Sequence, residues 1–171
     1  MTATFLDALP ADWKESPLRI DSRLHMLMKD WLPCIGGWHH DDVPRDREDG
    51  QPDYVNLRYK TDHCMAIWGD ASLTEFAVGK TAFPDVPLGQ KFYKDWHPLV
   101  DEKIANGQMK SVIAPERKLI FFDWQSFHQG KPAKKDGWRF FIRATRGSQE
   151  KPHNQIRHQT QVYMKDPNSG W

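Results

Sequence analysis

The stretch "FFDWQSFHQGKPAKKDGWRFFIRAT", residues 121–145, contains two strand-like runs separated by a loop rich in Gly, Pro and Lys. The first run ends at His128, and the second, "WRFFIRAT", is rich in aromatic and β-branched residues, which favour strands. This order is typical of a β-hairpin with a long loop. The stretch therefore predicts a mainly β fold.

Alternate residues of the second run face opposite sides of the predicted strand. One side carries Arg139, Phe141 and Arg143. Arginines in a strand that is otherwise built for burial are costly unless they meet anions. The pair predicts a buried or half-buried carboxylate or a similar ligand; the alternative is one internal salt bridge and one exposed edge arginine.

Further short segments of strand-like composition are separated by turn residues. They are "DYVNLRY" (53–59), "HCMAIWG" (63–69), "TEFAVG" (74–79), "SVIAPERKLIFFDW" (111–124) and "QTQVYM" (159–164). Many short strands at intervals of about ten residues predict a sandwich or a jelly-roll barrel with helices packed on its outside.

Two segments have helical patterns. "SRLHMLMKDWL" (22–32) places Leu24, Met28 and Leu32 at intervals of four, with Asp21 or Ser22 as N-cap and Pro33 as the stop. "PLGQKFYKDWHPLVDEKIANGQ" (87–108) reads as a loop followed by a helix that ends at Gly107. We therefore expect one domain, 1–171, with an N-terminal helical cover at about 1–32.

The composition is typical of a globular cytoplasmic protein. The 171 residues are 39% hydrophobic and 27% charged, and no apolar run approaches the length of about 20 residues that a membrane span needs. The N-terminus, "MTATFLDALPADWKESP", carries acidic residues and prolines where a signal peptide would be basic and then apolar. We expect a cytoplasmic location and no membrane partner.

The stretch "GGWHHDDVPR" (36–45) contains two overlapping His-x-Asp pairs, His39 with Asp41 and His40 with Asp42. In an extended strand, residues i and i+2 face the same side, so either pair could bind one metal ion. The alternative is a polar turn with exposed histidines. The residues alone leave both interpretations open.

Taken together, "WHHD", the later His128, and Arg139 and Arg143 at 11 and 15 positions beyond it resemble the pattern of Fe(II)/2-oxoglutarate-dependent dioxygenases. The "RFFIRAT" tail is similar to that of the taurine-type members. The resemblance spans 38–145, and the 89 positions between His39 and His128 point towards a compact relative. It implies a double-stranded β-helix, a jelly-roll or cupin-like barrel.

The resemblance also implies a ligand set. Fe(II) would be bound by His39, Asp41 and His128, because the family's frequent Trp-His-x-Asp arrangement matches Trp38-His39-x-Asp41. His40 and Asp42 would then face outward. Two imidazoles and one carboxylate on one side of the metal leave positions open for O2 and a bidentate co-substrate.

The arginines would bind the co-substrate, 2-oxoglutarate. Arg139 would hold its far carboxylate by a bidentate, charge-assisted pair, and Thr74 is a possible hydroxyl donor to the same carboxylate. Arg143 would face the near end of the co-substrate or an anionic group of the substrate.

These expectations describe a non-haem dioxygenase that hydroxylates a small molecule and releases succinate and CO2. An anionic substrate is indicated by the lysines of the loop after His128, namely Lys131, Lys134 and Lys135. Three alternatives remain: a nucleobase- or nucleotide-modifying oxygenase, a cupin-like metal enzyme without 2-oxoglutarate, and a non-catalytic jelly-roll module that binds a polyanion. Nucleic acid is thus a possible but less favoured partner.

Other residues near the motifs are interpreted as scaffold. His63, at the start of an apolar strand, predicts a hydrogen-bonded core histidine rather than a ligand. Four tryptophans could wall the cavity, with core packing as the alternative for each: Trp38, Trp68, Trp124 and Trp138.

Overall fold

The computed structural model describes residues 1–34 and 36–151, which form two antiparallel β-sheets and three helices. The helices are α1 (Thr2–Ala8), α2 (Ala11–Lys14) and α3 (Phe92–Ala105). The strands are β1 (Arg19–Leu27), β2 (Asp62–Trp68), β3 (Thr74–Val78), β4 (Lys110–Ile113), β5 (Ile120–Asp123), β6 (His128–Gly130) and β7 (Gly137–Arg146). None of these helices has the length and apolar character that a bilayer crossing requires. The predicted mainly β fold is confirmed.

The first sheet has the strand order β1-β7-β2-β5, and the second has the order β4-β3-β6. Their facing sides share a cluster in which Met65 and Ile67 of β2 pack with Phe76 of β3. The outer side of the first sheet is covered by α1 and α2, through Phe5 and Trp13. The outer side of the second sheet is covered by α3. The interior therefore lies between the two sheets, and helices cover the outer face of each sheet.

The predicted helix at 22–32 is wrong, because most of this segment belongs to β1. Its residues pair with β7 from Arg19 opposite Thr145 to Leu27 opposite Gly137. A spacing of four residues is also a multiple of two, so the apolar positions fit one side of a strand as well as one side of a helix. The helical cover predicted at 1–32 is therefore shorter, since the helices of this segment are α1 and α2.

The predicted hairpin around the loop after His128 is also wrong. β6 pairs with β3 in the second sheet, whereas β7 pairs with β1 and β2 in the first. The connecting residues, 131–136, thus cross from one sheet to the other. Backbone hydrogen bonds hold this crossing, from Lys131 N to Leu73 O (3.1 Å) and from Ala133 N to Trp31 O (2.8 Å). The crossing places His128 on one sheet and the two arginines of β7 on the other.

Most of the remaining predicted strands and the second predicted helix are confirmed, and one predicted strand is wrong. The strands at 63–69 and 74–79 match β2 and β3, the run 111–124 contains β4 and β5, and α3 ends close to Gly107. The segment 53–59 is not a strand, because the Asp53 carboxylate accepts the backbone N–H groups of Val55 (3.0 Å) and Asn56 (2.8 Å) in a turn. The predicted strand at 159–164 lies outside the described residues.

We predict that Ile142→Ala lowers the free energy of unfolding by about 2–4 kcal/mol, because the side chain is fully buried under α1 and α2 and leaves a cavity. Urea unfolding measures the loss. Trp138→Ala is the matched control, since Trp138 lies on the same side of β7 but is 62% exposed. Equal losses in the two variants would contradict this packing.

Candidate metal centre

His39, Asp41 and His128 lie together on the inner side of the second sheet. His39 pairs with His128 through two backbone hydrogen bonds, each 3.0 Å from N to O, so the two imidazoles stand side by side. Asp41 follows two residues after His39 and points to the same side. One potential ligand atom from each residue lies within 4.8 Å of the others. The arrangement is a His-Asp-His cluster with the spacing of a metal site.

Backbone carbonyls fix the orientation of both imidazoles. His39 Nδ1 donates to Gly37 O (2.8 Å), and His128 Nδ1 donates to Ser126 O (2.9 Å). Because a carbonyl can only accept, each neutral ring carries its proton on Nδ1 and its lone pair on Nε2. Burial lowers the pKa of His39 to about 3 and that of His128 to about 4. At neutral pH both rings therefore offer an uncharged Nε2, the form that ligates metals.

The contact between His128 and Asp41 is favoured by a positive charge beside it. His128 Nε2 lies 2.9 Å from Asp41 Oδ2, yet a neutral ring protonated on Nδ1 has only a lone pair at Nε2. A lone pair and a carboxylate oxygen repel each other unless a cation lies beside them. Arg143, which contacts the same Asp41 oxygen, supplies one positive charge, and a metal ion bound by both atoms would supply another without protonating a buried imidazole. The donor set present therefore fits a divalent transition metal.

The two residues of the second His-x-Asp pair have separate partners. The Tyr54 hydroxyl donates to His40 Nδ1 (2.7 Å), and His40 Nε2 donates to Gln125 O (3.0 Å), so both ring nitrogens are used. Asp42 forms an ion pair with Arg19 at 2.6 Å. The expectation that this pair faces outward is wrong with respect to solvent, since both side chains are buried. The structure brings the first pair, not the second, to His128.

A cavity of about 100 Å³ adjoins the cluster and is lined by both sheets. Arg139 lies in its wall and is only 4% exposed; its Nε donates to Ser72 O (2.8 Å) and its Nη2 to Thr74 Oγ1 (3.4 Å). Neither of these partners is a carboxylate. Burial lowers the pKa of Arg139 to about 10, so the guanidinium remains charged at neutral pH. Thr74 and Arg139 thus form a buried polar pair beside the cluster.

Arg143, predicted to face the near end of the co-substrate or an anionic group of the substrate, contacts the cluster itself. It contacts the Asp41 carboxylate directly and lies 3.6 Å from Asp21 Oδ2. Arg143 Nη1 and His128 Nε2 both contact the same carboxylate oxygen, Asp41 Oδ2. Arg143 therefore positions the carboxylate of the cluster as well as facing the cavity.

Sequence reasoning missed Arg23 and Asp21, which also line the cavity. Both belong to β1, and because this segment was predicted to be a helix, neither residue was assigned to the site. The signal that could have found them is the alternation of "RIDSRLHML" (19–27), in which charged residues or histidine alternate with mainly apolar ones. That alternation is typical of a strand with one polar side.

The apolar part of the cavity wall differs from the prediction. Among the described residues that line it there is no tryptophan, and the apolar wall consists chiefly of Met65, Phe122 and Phe141. Trp38 packs against α3, and its indole donates to Asp101 (2.7 Å). Trp124 lines a second cavity of about 950 Å³, and Trp138 is largely exposed. Trp68 packs on the outer side of the first sheet.

The histidine interpreted as scaffold is hydrogen-bonded as predicted. His63 contacts the Thr61 hydroxyl through Nε2 (3.1 Å) and the Thr145 hydroxyl through Nδ1 (2.9 Å). Burial lowers the pKa of His63 to about 4, so the ring is neutral. His63 thus links β2 to β7 inside the first sheet.

The lysines of the crossing loop are engaged in ion pairs. Lys131 lies 2.9 Å from Glu75, and Lys135 lies 2.8 Å from Asp70, which is also 3.7 Å from Lys134. Ion pairs of this kind reduce the net field that a basic rim presents to a ligand. The positive charge available near the cluster comes from the arginines of the cavity instead.

Comparisons of the chain with protein-family models, with curated proteins and with solved structures give no match. A functional assignment for this chain therefore rests on the geometry of the cluster and its cavity.

Proposed function

We propose that this chain is a non-haem Fe(II)- and 2-oxoglutarate-dependent oxygenase, and that its two sheets form a jelly-roll barrel of the double-stranded β-helix type. One observation carries the proposal. The His39–Asp41–His128 cluster shares its cavity with Arg139, a buried cation whose hydrogen-bond partners are uncharged. A metal site alone does not need this cation, whereas an anionic co-substrate beside the metal does.

The metal would be held by His39, Asp41 and His128. Two neutral imidazoles and one carboxylate on one side of an Fe(II) ion leave adjacent positions free for other ligands. When bound there, the iron supplies the activation of O2 and the oxidative decarboxylation of the co-substrate. The two backbone carbonyls that hold Nδ1 of each ring keep both Nε2 atoms directed at the ion.

Arg139 and Thr74 would bind the far carboxylate of 2-oxoglutarate. A guanidinium at 4% exposure is expensive to bury, and a carboxylate that meets it offsets this cost by charge-assisted hydrogen bonds. The Thr74 hydroxyl already lies within reach of Arg139 and can donate to the same carboxylate. Met65, Phe122 and Phe141 give the same cavity an apolar wall.

The overall reaction is balanced with one O2. 2-Oxoglutarate, O2 and a substrate C–H bond give succinate, CO2 and a substrate C–OH, one oxygen atom entering succinate and the other entering the hydroxyl group. Hydroxylation is the outcome that we propose for a small substrate that enters the cavity.

The alternatives use fewer of the observed features. A cupin-like metal enzyme without 2-oxoglutarate uses the cluster but leaves Arg139 and Thr74 without a ligand. A polyanion-binding module depends on the rim lysines, which are paired with Glu75 and Asp70. A nucleobase- or nucleotide-modifying oxygenase shares the same metal and co-substrate chemistry and differs only in the substrate.

We predict that His39→Gln weakens metal binding by about a hundredfold or more, because it removes one of three ligands. Calorimetry with Zn(II) measures the affinity. His40→Gln is the matched control: it changes the neighbouring histidine, whose ring nitrogens are both hydrogen-bonded elsewhere, so the affinity should stay near that of the wild type. A loss confined to His40→Gln would transfer the ligand role to the second pair.

We predict that Arg139→Gln weakens 2-oxoglutarate binding to the Zn(II)-loaded protein by about 10- to 100-fold, the range expected for a hydrogen bond to a charged group. Metal affinity should change little, because Arg139 does not belong to the cluster. Arg146→Gln, on the same strand but paired with Asp12 and Asp62 near the surface, serves as the control. Unchanged 2-oxoglutarate affinity in Arg139→Gln would contradict the proposed role.

A further inference from the structure

We propose that Arg23 of β1 binds an anionic oxygen group of the prime substrate, so that the substrate is a small carboxylate, sulfonate or phosphate ester. This inference rests on the proposed function, because it places the substrate in the same cavity as the metal and the co-substrate. Under this proposal the substrate is selected by Arg23 inside the cavity, and not by Lys131, Lys134 and Lys135 of the crossing loop.

The register of the first sheet places Arg23 among the functional arginines. Arg23 lies opposite Phe141 in the β1–β7 pairing, on the side of the sheet that also carries Arg139 and Arg143. Arg23 lines the same cavity as His39, Arg139 and Arg143. Arg23 therefore faces the same cavity as the metal cluster and the proposed co-substrate site.

The charges that line the cavity leave a positive excess for a substrate. Three guanidinium groups face it, from Arg23, Arg139 and Arg143, against the carboxylates of Asp21 and Asp41. A bound divalent metal adds two positive charges and the 2-oxoglutarate dianion removes them. One net positive charge then remains. Because an uncompensated charge in a partly dry cavity is unfavourable, the cavity is suited to a further anion.

This excess lies at Arg23 rather than at the other arginines. Arg139 is assigned to the far carboxylate of the co-substrate, and Arg143 contacts Asp41. Arg23 lies 3.6 Å from the Asp21 carboxylate, which also lies 3.6 Å from Arg143. Arg23 therefore shares its carboxylate partner with Arg143. The Arg23 side chain is 22% exposed, which keeps it within reach of a ligand that arrives from solvent.

The proposal is tested with 1-propanesulfonate as probe and 1-propanol as its neutral match, added anaerobically to protein loaded with Mn(II) and 2-oxoglutarate. Paramagnetic broadening of the probe's proton signals reports binding near the metal. We expect the sulfonate, and not the alcohol, to be broadened. Arg23→Gln should weaken sulfonate binding at least tenfold, and Arg23→Lys should retain part of it, with a much smaller change in 2-oxoglutarate affinity in both.

Two further variants sharpen the test. Asp21→Asn removes the carboxylate that competes for Arg23 and should tighten sulfonate binding. Arg117→Gln removes a guanidinium whose side chain is 73% exposed and which lies outside the cavity lining, so it should behave as the wild type. Thermal unfolding of each variant verifies that it is folded.

Several results would overturn the role of Arg23. They are equal broadening of sulfonate and alcohol, undiminished sulfonate binding in Arg23→Gln, sulfonate binding only when 2-oxoglutarate is left out, and no sulfonate binding to protein that holds both Mn(II) and 2-oxoglutarate. A protein that binds neither Mn(II) nor 2-oxoglutarate would instead refute the proposed function. Saturation-transfer NMR of the same probe on the metal-free protein would then decide whether Arg23 binds anions.

Discussion

The pair of backbone hydrogen bonds between His39 and His128 is the constraint on which the site depends. It attaches the segment after Trp38 to β6 and sets the two imidazoles side by side. The indole of Trp38 and its backbone N–H are held by Asp101 and His97 of α3, which fixes the same segment from the outer side. The candidate ligands therefore stand on backbone that is anchored from both sides of the second sheet, which favours a precise metal geometry.

Burial has opposite consequences for the two kinds of polar residue in the cavity. It keeps His39 and His128 neutral, which is the state that metal ligation requires. It also makes the charge of Arg139 costly, which is offset when an anion binds there. The second sheet thus supplies the uncharged donors and the first sheet supplies the cations. A metal ion and an anionic co-substrate placed between the sheets would satisfy both sets at once.

Local periodicity could predict which side chains share a side, the family resemblance supplied the choice of His39, Asp41 and His128, and neither predicted the strand pairing. The two-residue spacing of His39 with Asp41, and of Arg139 with Phe141, predicts which side chains share a side, and the structure shows those arrangements. It does not predict which sheet a strand joins, since that depends on contacts distant in sequence. For this reason the predicted hairpin after His128 is a crossing between the sheets, and most of the predicted helix at 22–32 belongs to β1.

The crossing at residues 131–136 and the position of β1 determine which charges face the cavity. Residues 131–136 carry the chain between the sheets, so the arginines of β7 approach the cluster from the opposite sheet. β1 then adds Asp21 and Arg23 at the edge of the same cavity. Because these charges point inward while the rim lysines are paired, a ligand must enter the cavity to meet them. Under the proposed function, the ligand is therefore a small anion and not a polyanion bound along the surface.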